Sequence, residues 1–344
     1  MNCRKMYRSV PLMSVFPLVS GSTNSLLCTC SRRGIMSLQN STLKPSLSFR
    51  ICTISGYKTE LLEIFPHDPK LHVLLIPGNP GVVSFYKDFL ESLYDLLGGT
   101  ASLTAIGHIS HTRKNWEHGR LFSLQQQIDH KVDFIKQELQ NTEVPIVLVG
   151  HSIGSYIAIE TLRRSAKVQY CIGLYPFLML DPQSEKQTDI QKVAESSIQS
   201  ALISFAVASL GLLPQFVLRT IVSKSIGKSW SATAVDAACS HLLKYHTFRN
   251  MIFMALTEFR KLSETPDWVF MRTNESKMAF LFGVDDHWGP LEMFEEIAKQ
   301  APGIALSIER EGHMHSFCCT EAGSVWVAQH VADLVKNQVL SSNQ

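Results

Sequence analysis

The feature that most constrains this chain is a repeated couplet: a short, wholly apolar run that stops at glycine or proline, then a stretch with helical apolar spacing. "LHVLLIPGNPG" (71–81) leads into "VSFYKDFLESLYDLLG", "PIVLVGHS" (145–152) into "IGSYIAIETLRRS", and "KMAFLFGVDD" (277–286) into "PLEMFEEIAKQA". A strand that is apolar on both sides must be covered on both sides, which is the situation of a parallel strand between two layers of helices. "ASLTAIGHIS", "VQYCIGLYP" and "GIALSIEREG" read as further strands, and "SLQQQIDHKVDFIKQELQ" and "EAGSVWVAQHVADLVKNQV" as helices. "SFRICTISGYKTELLEIF" alternates and reads as a hairpin turning near Ser55-Gly56. The expected class is α/β, with a mostly parallel central sheet and helices on both faces. An apolar content of 45% supports the core such a sheet needs.

Two stretches fall outside that alternation. Residues 1–59 hold eight Lys or Arg and no acid, so the remainder carries 24 basic and 30 acidic residues, a net of −6. A mildly acidic body has no electrostatic footprint for nucleic acid. The Ser- and Arg-rich leader, 1–47, is expected to be disordered or a targeting segment, and its composition suits import into a chloroplast or mitochondrion. The α/β domain is expected over 48–340, with an insertion over 177–275. Within it, "SIQSALISFAVASLGLLPQFVL" (197–218) has no charge over 22 positions, a length that would span a bilayer as one helix. Gly211 and Pro214 interrupt it, favouring two shorter helices that either pack as a lid or enter a lipid surface. Eight scattered cysteines with no CxxC spacing suggest neither a disulfide framework nor zinc.

"GHSIG", residues 150–154, fits G-x-S-x-G between a buried strand and a helix. The pattern has a mechanical reason: a serine on a sharp strand-to-helix turn is exposed for attack only if its neighbours are small. Ser152 is therefore the candidate nucleophile, the alternative being a structural turn serine. A serine hydroxyl needs a base to remove its proton, and in this arrangement an acid and then a histidine follow along the chain.

"FGVDDHWGP" ends a strand with two carboxylates. Asp286, further into the loop, is preferred as the acid; Asp285 stays open, and either could instead cap the helix that follows. "EGHMHSF" supplies His313 and His315, which spacing alone does not separate. His151 reads as packing beside the turn and His287 as a loop residue. An oxyanion needs backbone N–H groups aimed at one point. Ile153, directly after the serine, should supply one. The "PGNPG" turn (77–81) should supply the other; Pro80 cannot donate, leaving Gly78 and Asn79, of which Asn79 is preferred. This chemistry calls for no metal or organic cofactor.

Together, "LLIPGNPGVVSFY", "VLVGHSIGSY", "FGVDDHWGP" and "HSF" resemble the lipid droplet-associated hydrolase family, over about residues 65–340. That family's G-x-x-D-x-W pattern lands on Gly283, Asp286 and Trp288, and its histidine followed by a small residue and Phe lands on His315, Ser316 and Phe317. The resemblance implies an α/β-hydrolase fold, a lipid droplet or associated membrane as the location, and esterase chemistry on sterol or acyl esters. The resulting expectation is a serine ester hydrolase of lipid esters that meets a lipid surface through 197–218. A lipid-binding or droplet-organising protein with little turnover, and an acyltransferase on the same fold, are the alternatives.

Overall fold

A computed structural model describes residues 46–225 and 229–340. The leader, up to residue 45, lies outside the described residues. Eight strands form one sheet in the order β1-β2-β4-β3-β5-β6-β7-β8. They are β1 (Ser48–Ile54), β2 (Tyr57–Ile64), β3 (Leu71–Ile76), β4 (Ala101–Ile106), β5 (Ile146–His151), β6 (Val168–Leu174), β7 (Met278–Gly283) and β8 (Ala305–Glu309). β1 and β2 are the expected hairpin, and Ser55 (φ 49°) and Gly56 (φ 86°) make its turn. Positive φ at both central residues matches the twist of the flanking strands. β2 also runs antiparallel to β4; all remaining pairs are parallel.

The apolar runs read as two-faced strands are two-faced. Val73 and Leu75 of β3, with Val147 and Val149 of β5, join a core containing Phe89, Leu90 and Leu93 of α1 (Lys87–Leu96). Val327, Ala328 and Val331 of the closing helix complete that side. Leu74, Ile76, Ile146 and Leu148 face the other way. They pack with Ile128 and Ile135 of α2 (Leu124–Glu138) and with Ile153 and Ile157 of α3 (Ile153–Arg164). Full burial of each such side chain is worth about 1.5–3 kcal/mol, so a charge on either face of β3 or β5 would undo the layer it meets. α2 begins where its sequence says it should: Ser123 Oγ accepts from Gln126 N, and the Gln126 side chain accepts from Ser123 N at 2.9 Å.

Between β6 and β7 lie α4 (Glu185–Glu195), α5 (Ser197–Leu210), α6 (Gln215–Ser225), α7 (Ala232–Ala237), α8 (Tyr245–Leu262) and α9 (Trp268–Thr273). α10 (Leu291–Gln300) and α11 (Glu321–Val335) follow β7 and β8. α8 is tied to the body by buried polar bonds rather than by apolar contact alone. Asn250 accepts from Phe122 N at 3.0 Å and donates to Ser110 Oγ and Arg120 O, while His246 Nε2 donates to Thr112 O at 2.8 Å.

The uncharged 197–218 run breaks at Gly211–Pro214 into α5 and α6. No single described helix is long and apolar enough to cross a membrane. α5 is inside out by ordinary standards: Ser200 and Ser204 face the protein, while Ile198, Leu202 and Phe205 are 75%, 65% and 66% exposed. Leu212 and Phe216, in the break after α5 and at the start of α6, are also exposed.

Candidate active site

β3 pairs with β4 on one side and β5 on the other, so successive connections leave it in opposite directions. Such a reversal opens a crevice at the carboxyl ends of the strands, where open α/β sheets bind ligands. The turn after β3 and Ser152 after β5 face each other there. Ser152 has φ 56° and ψ −125°, a backbone state that costs a non-glycine residue about 1–3 kcal/mol. Three backbone bonds hold it. Ser152 N donates to Leu174 O at 2.9 Å, and Ser152 O accepts from Ser155 N at 2.9 Å and from Phe177 N at 3.2 Å.

The flanking glycines are required by close approach. A Cβ on Gly150 would lie 2.3 Å from Gly154 O, and one on Gly154 would lie 2.3 Å from Ile76 O and 2.6 Å from Pro77 O. The elbow is thus wedged against the end of β3, which also brings Gly78 against the Ser152 side chain.

His315 Nδ1 donates to Asp286 Oδ2 at 2.9 Å, and Asp286 Oδ1 accepts from Trp288 N at 2.9 Å. The carboxylate is thereby pinned at both oxygens, its side chain 1% exposed and that of His315 23%. Asp285 is exposed and, among the described residues, has no such partner. Neither aspartate caps α10, whose N-cap is Pro290 with no side-chain bond. His313 turns away: its ring lies against Trp326, centroids 5.7 Å apart, and Trp326 stacks on His330. The geometry therefore separates the two pairs of candidates that spacing left together. Among the described residues no hydrogen bond joins Ser152 Oγ to His315.

In the turn after β3, Gly78 N–H is already used, donating to Tyr86 Oη at 3.1 Å. Pro80 has no N–H. The amide of Asn79 is the donor left in this turn, and that of Ile153, first in α3, has no carbonyl behind it within the helix. The Asn79 side chain is clamped from α8, donating through Nδ2 to Met251 O at 2.9 Å and to Glu258 Oε1 at 3.1 Å. Burial pushes the Glu258 carboxyl up to about 8, its bond from Asn79 opposing in part. A further chain of bonds joins the two halves of the site. Tyr86 Oη donates to His151 Nδ1 at 2.7 Å, and His151 Nε2 donates to His315 O at 2.8 Å. The carbonyl can only accept, so the proton of His151 is on Nε2. Burial holds this imidazole neutral, its proton affinity well below the usual histidine range.

Sequence reasoning gave His151 only a packing role and gave Tyr86 and Glu258 none. Tyr86 had a signal, the "FY" at the end of the quoted turn motif; Glu258 had no signal in the sequence. Among the described residues no group of three His, Cys, Asp or Glu is placed to hold a metal ion.

A family model described as "Lipid-droplet associated hydrolase" matches residues 69–318. The chain belongs to that family. Relatives named lipid droplet-associated hydrolase include one from Gallus gallus, 26% identical over 72% of this chain and 80% of that one. Another, from Rattus norvegicus, is 25% identical over 85% of this chain and 95% of its own. These two relatives are thus matched over 80% and 95% of their own length. Among solved structures, a haloalkane dehalogenase from Bradyrhizobium elkani superposes with a TM-score of 0.64 at 13% identity, covering 86% of this chain and all of that one. An epoxide hydrolase from Vigna radiata gives 0.60 at 14% identity, covering 85% and 98%. At such identities the likeness shows the fold, which is the α/β-hydrolase fold. The protein is a member of a hydrolase family on that fold.

Proposed function

We propose that the protein is a serine hydrolase of carboxylic esters, acting on a lipid ester of the sterol ester or acylglycerol type. The observation that carries this reading is the Asp286–His315 bond, formed at the mouth of the crevice that the strained Ser152 turn occupies. In it, His315 takes the proton of Ser152 as Oγ attacks the ester carbonyl, and Asp286 holds the ring with its proton on Nδ1. The N–H groups of Asn79 and Ile153 receive the developing oxyanion. The protonated His315 then gives its proton to the departing alcohol, leaving an acyl-serine. Water, activated by the same imidazole, releases the acid and restores Ser152.

The lipid character of the substrate is supported by α5 and α6. An apolar patch facing solvent marks a surface built to meet a partner or a lipid phase. The insertion then caps the crevice and delivers it to a droplet or membrane surface, in keeping with the names of the relatives. That same patch also favours a second reading, a lipid-binding or droplet-organising role that needs little turnover.

Labelling with a fluorophosphonate probe tests the first reading. Wild type is expected to label, and Ser152→Ala and His315→Ala to lose the label; a folded wild type that stays unlabelled overturns it. Lipid binding that persists undiminished in an unlabelled wild type would favour the second.

A further inference from the structure

We infer that Glu258 is a positioning residue for the oxyanion turn, holding Asn79 by its side-chain amide from α8 so that the Asn79 N–H stays aimed into the crevice. This rests on the ester-hydrolase reading above and names one more residue that reading needs. The turn is anchored at its two ends, Gly78 by Tyr86 and Gly81 by its N–H donating to His111 Nδ1 at 2.8 Å and its carbonyl accepting from His108 N at 3.0 Å, and between those anchors Asn79 is held through its side chain. Gly78 N–H is committed to Tyr86, Pro80 has no donor, and the Asn79 side chain reaches only α8. Met251 O, its other acceptor, also serves the ladder of the helix. Among the described residues, Glu258 Oε1 is therefore the one side-chain acceptor for the Asn79 amide. α8 can act as a fixed bracket because Asn250 and His246 staple it to the 110–122 segment.

The charge state of this carboxyl matters for the proposed chemistry. A neutral acid accepts from Asn79 as a carboxylate does, but puts no negative charge beside an oxyanion in a site of low dielectric. Burial raises its proton affinity, and the bond from the Asn79 amide opposes that in part. Glu258 is thus held neutral at pH 7 and ionises as the pH passes about 8. Ionisation opposes the oxyanion, so turnover falls there.

The test measures kcat and KM for p-nitrophenyl butyrate in the full chain. Misaiming one oxyanion donor without deleting it should lower kcat about 10- to 100-fold in Glu258→Leu, with KM changed by about twofold or less. Glu258→Gln, which keeps a neutral acceptor, should restore kcat to within about threefold at pH 7 and abolish the fall of kcat as pH rises through about 8. Glu258→Leu with wild-type kcat, or Glu258→Gln with the alkaline fall intact, overturns the inference. Where Glu258→Leu does not fold, the Glu258→Gln profile decides. Fluorophosphonate labelling keeps the two readings apart. A folded wild type that neither labels nor turns over overturns both, whereas a labelling wild type with indifferent Glu258 variants overturns this one alone.

Discussion

Asp286→Asn exchanges one oxygen for one nitrogen in a side chain that is 1% exposed and bonded at both ends. The consequences follow from which partners donate. Trp288 N–H can only donate, so the asparagine must turn its carbonyl oxygen to that amide, at the 2.9 Å position. Its NH2 group then points at His315 Nδ1, where the carboxylate had accepted at 2.9 Å. The opposite rotamer would set an NH2 against the Trp288 N–H in a buried place, a cost of about 1–3 kcal/mol. His315 must therefore accept through Nδ1 and carry its proton on Nε2, the nitrogen that takes the proton of Ser152 in the proposed reaction. A base in the wrong tautomer loses about 10⁴-fold in kcat, about 5–6 kcal/mol of transition-state stabilisation. Hydrolysis of p-nitrophenyl butyrate reads this directly, and the rate of fluorophosphonate labelling reads it independently of deacylation. The melting temperature should move little, because the number of hydrogen bonds is preserved. Asp285→Asn, at an exposed position, should keep kcat within about twofold. An Asp286→Asn protein within tenfold of wild type, or a loss that follows Asp285 instead, would refute the tautomer argument.

Gly154→Ala should destabilise by about 1–3 kcal/mol or more, since its Cβ meets backbone oxygens of Ile76 and Pro77 at 2.3 and 2.6 Å. Thermal unfolding checks this, and an unchanged midpoint would show that the elbow is not wedged as described. Replacing Leu202, Phe205 and Phe216 together with serine should weaken partitioning onto a triolein emulsion by about 100-fold, given about 1 kcal/mol per partly buried side chain. Flotation measures it, and a triple variant that floats like wild type removes α5 and α6 from lipid contact. Glu258 also predicts a pH dependence of stability. Its carboxyl keeps a proton up to about 8 in the folded protein, against an ordinary value of 4.5. Between those two values the folded state binds more protons than the unfolded chain, so stability falls by a few kcal/mol as pH rises. Glu258→Gln should flatten that slope in urea unfolding measured at pH 5 and pH 8. A slope shared by both proteins would show that Glu258 does not ionise in this window.

The strands, the hairpin turn and the elbow were legible because each is written locally. A run such as "IVLV" specifies burial on both faces, Ser55-Gly56 specifies a positive-φ turn, and G-x-S-x-G specifies which neighbours a sharp bend tolerates. Chain order extended this to a loop for the acid and a loop for the base, but not to the residue. Asp285 and Asp286 are adjacent and His313 and His315 two apart, so one pattern describes either choice until the ends of β7 and β8 are side by side. The resemblance separated them on paper; in the structure, the Trp288 N–H and Asp286 draw His315 in while Trp326 takes His313.

α5 marks a second limit. Its composition announces an apolar helix, yet serines rather than Leu and Phe face inward, a fact of packing that helical periodicity does not contain. Glu258 marks a third, for it reads as one more charge on an amphipathic helix. Only α8 lying across the turn after β3 makes it a buried acid bonded to Asn79. The sequence by itself determined the α/β layering and the strand-to-helix bend at Ser152, because dihedral preference and burial period act over a few neighbouring residues. The tertiary structure alone decided which carboxylate meets which imidazole, which face of α5 meets solvent and what holds Asn79, because those partners lie from 29 to 179 residues apart and exist only once the chain has closed.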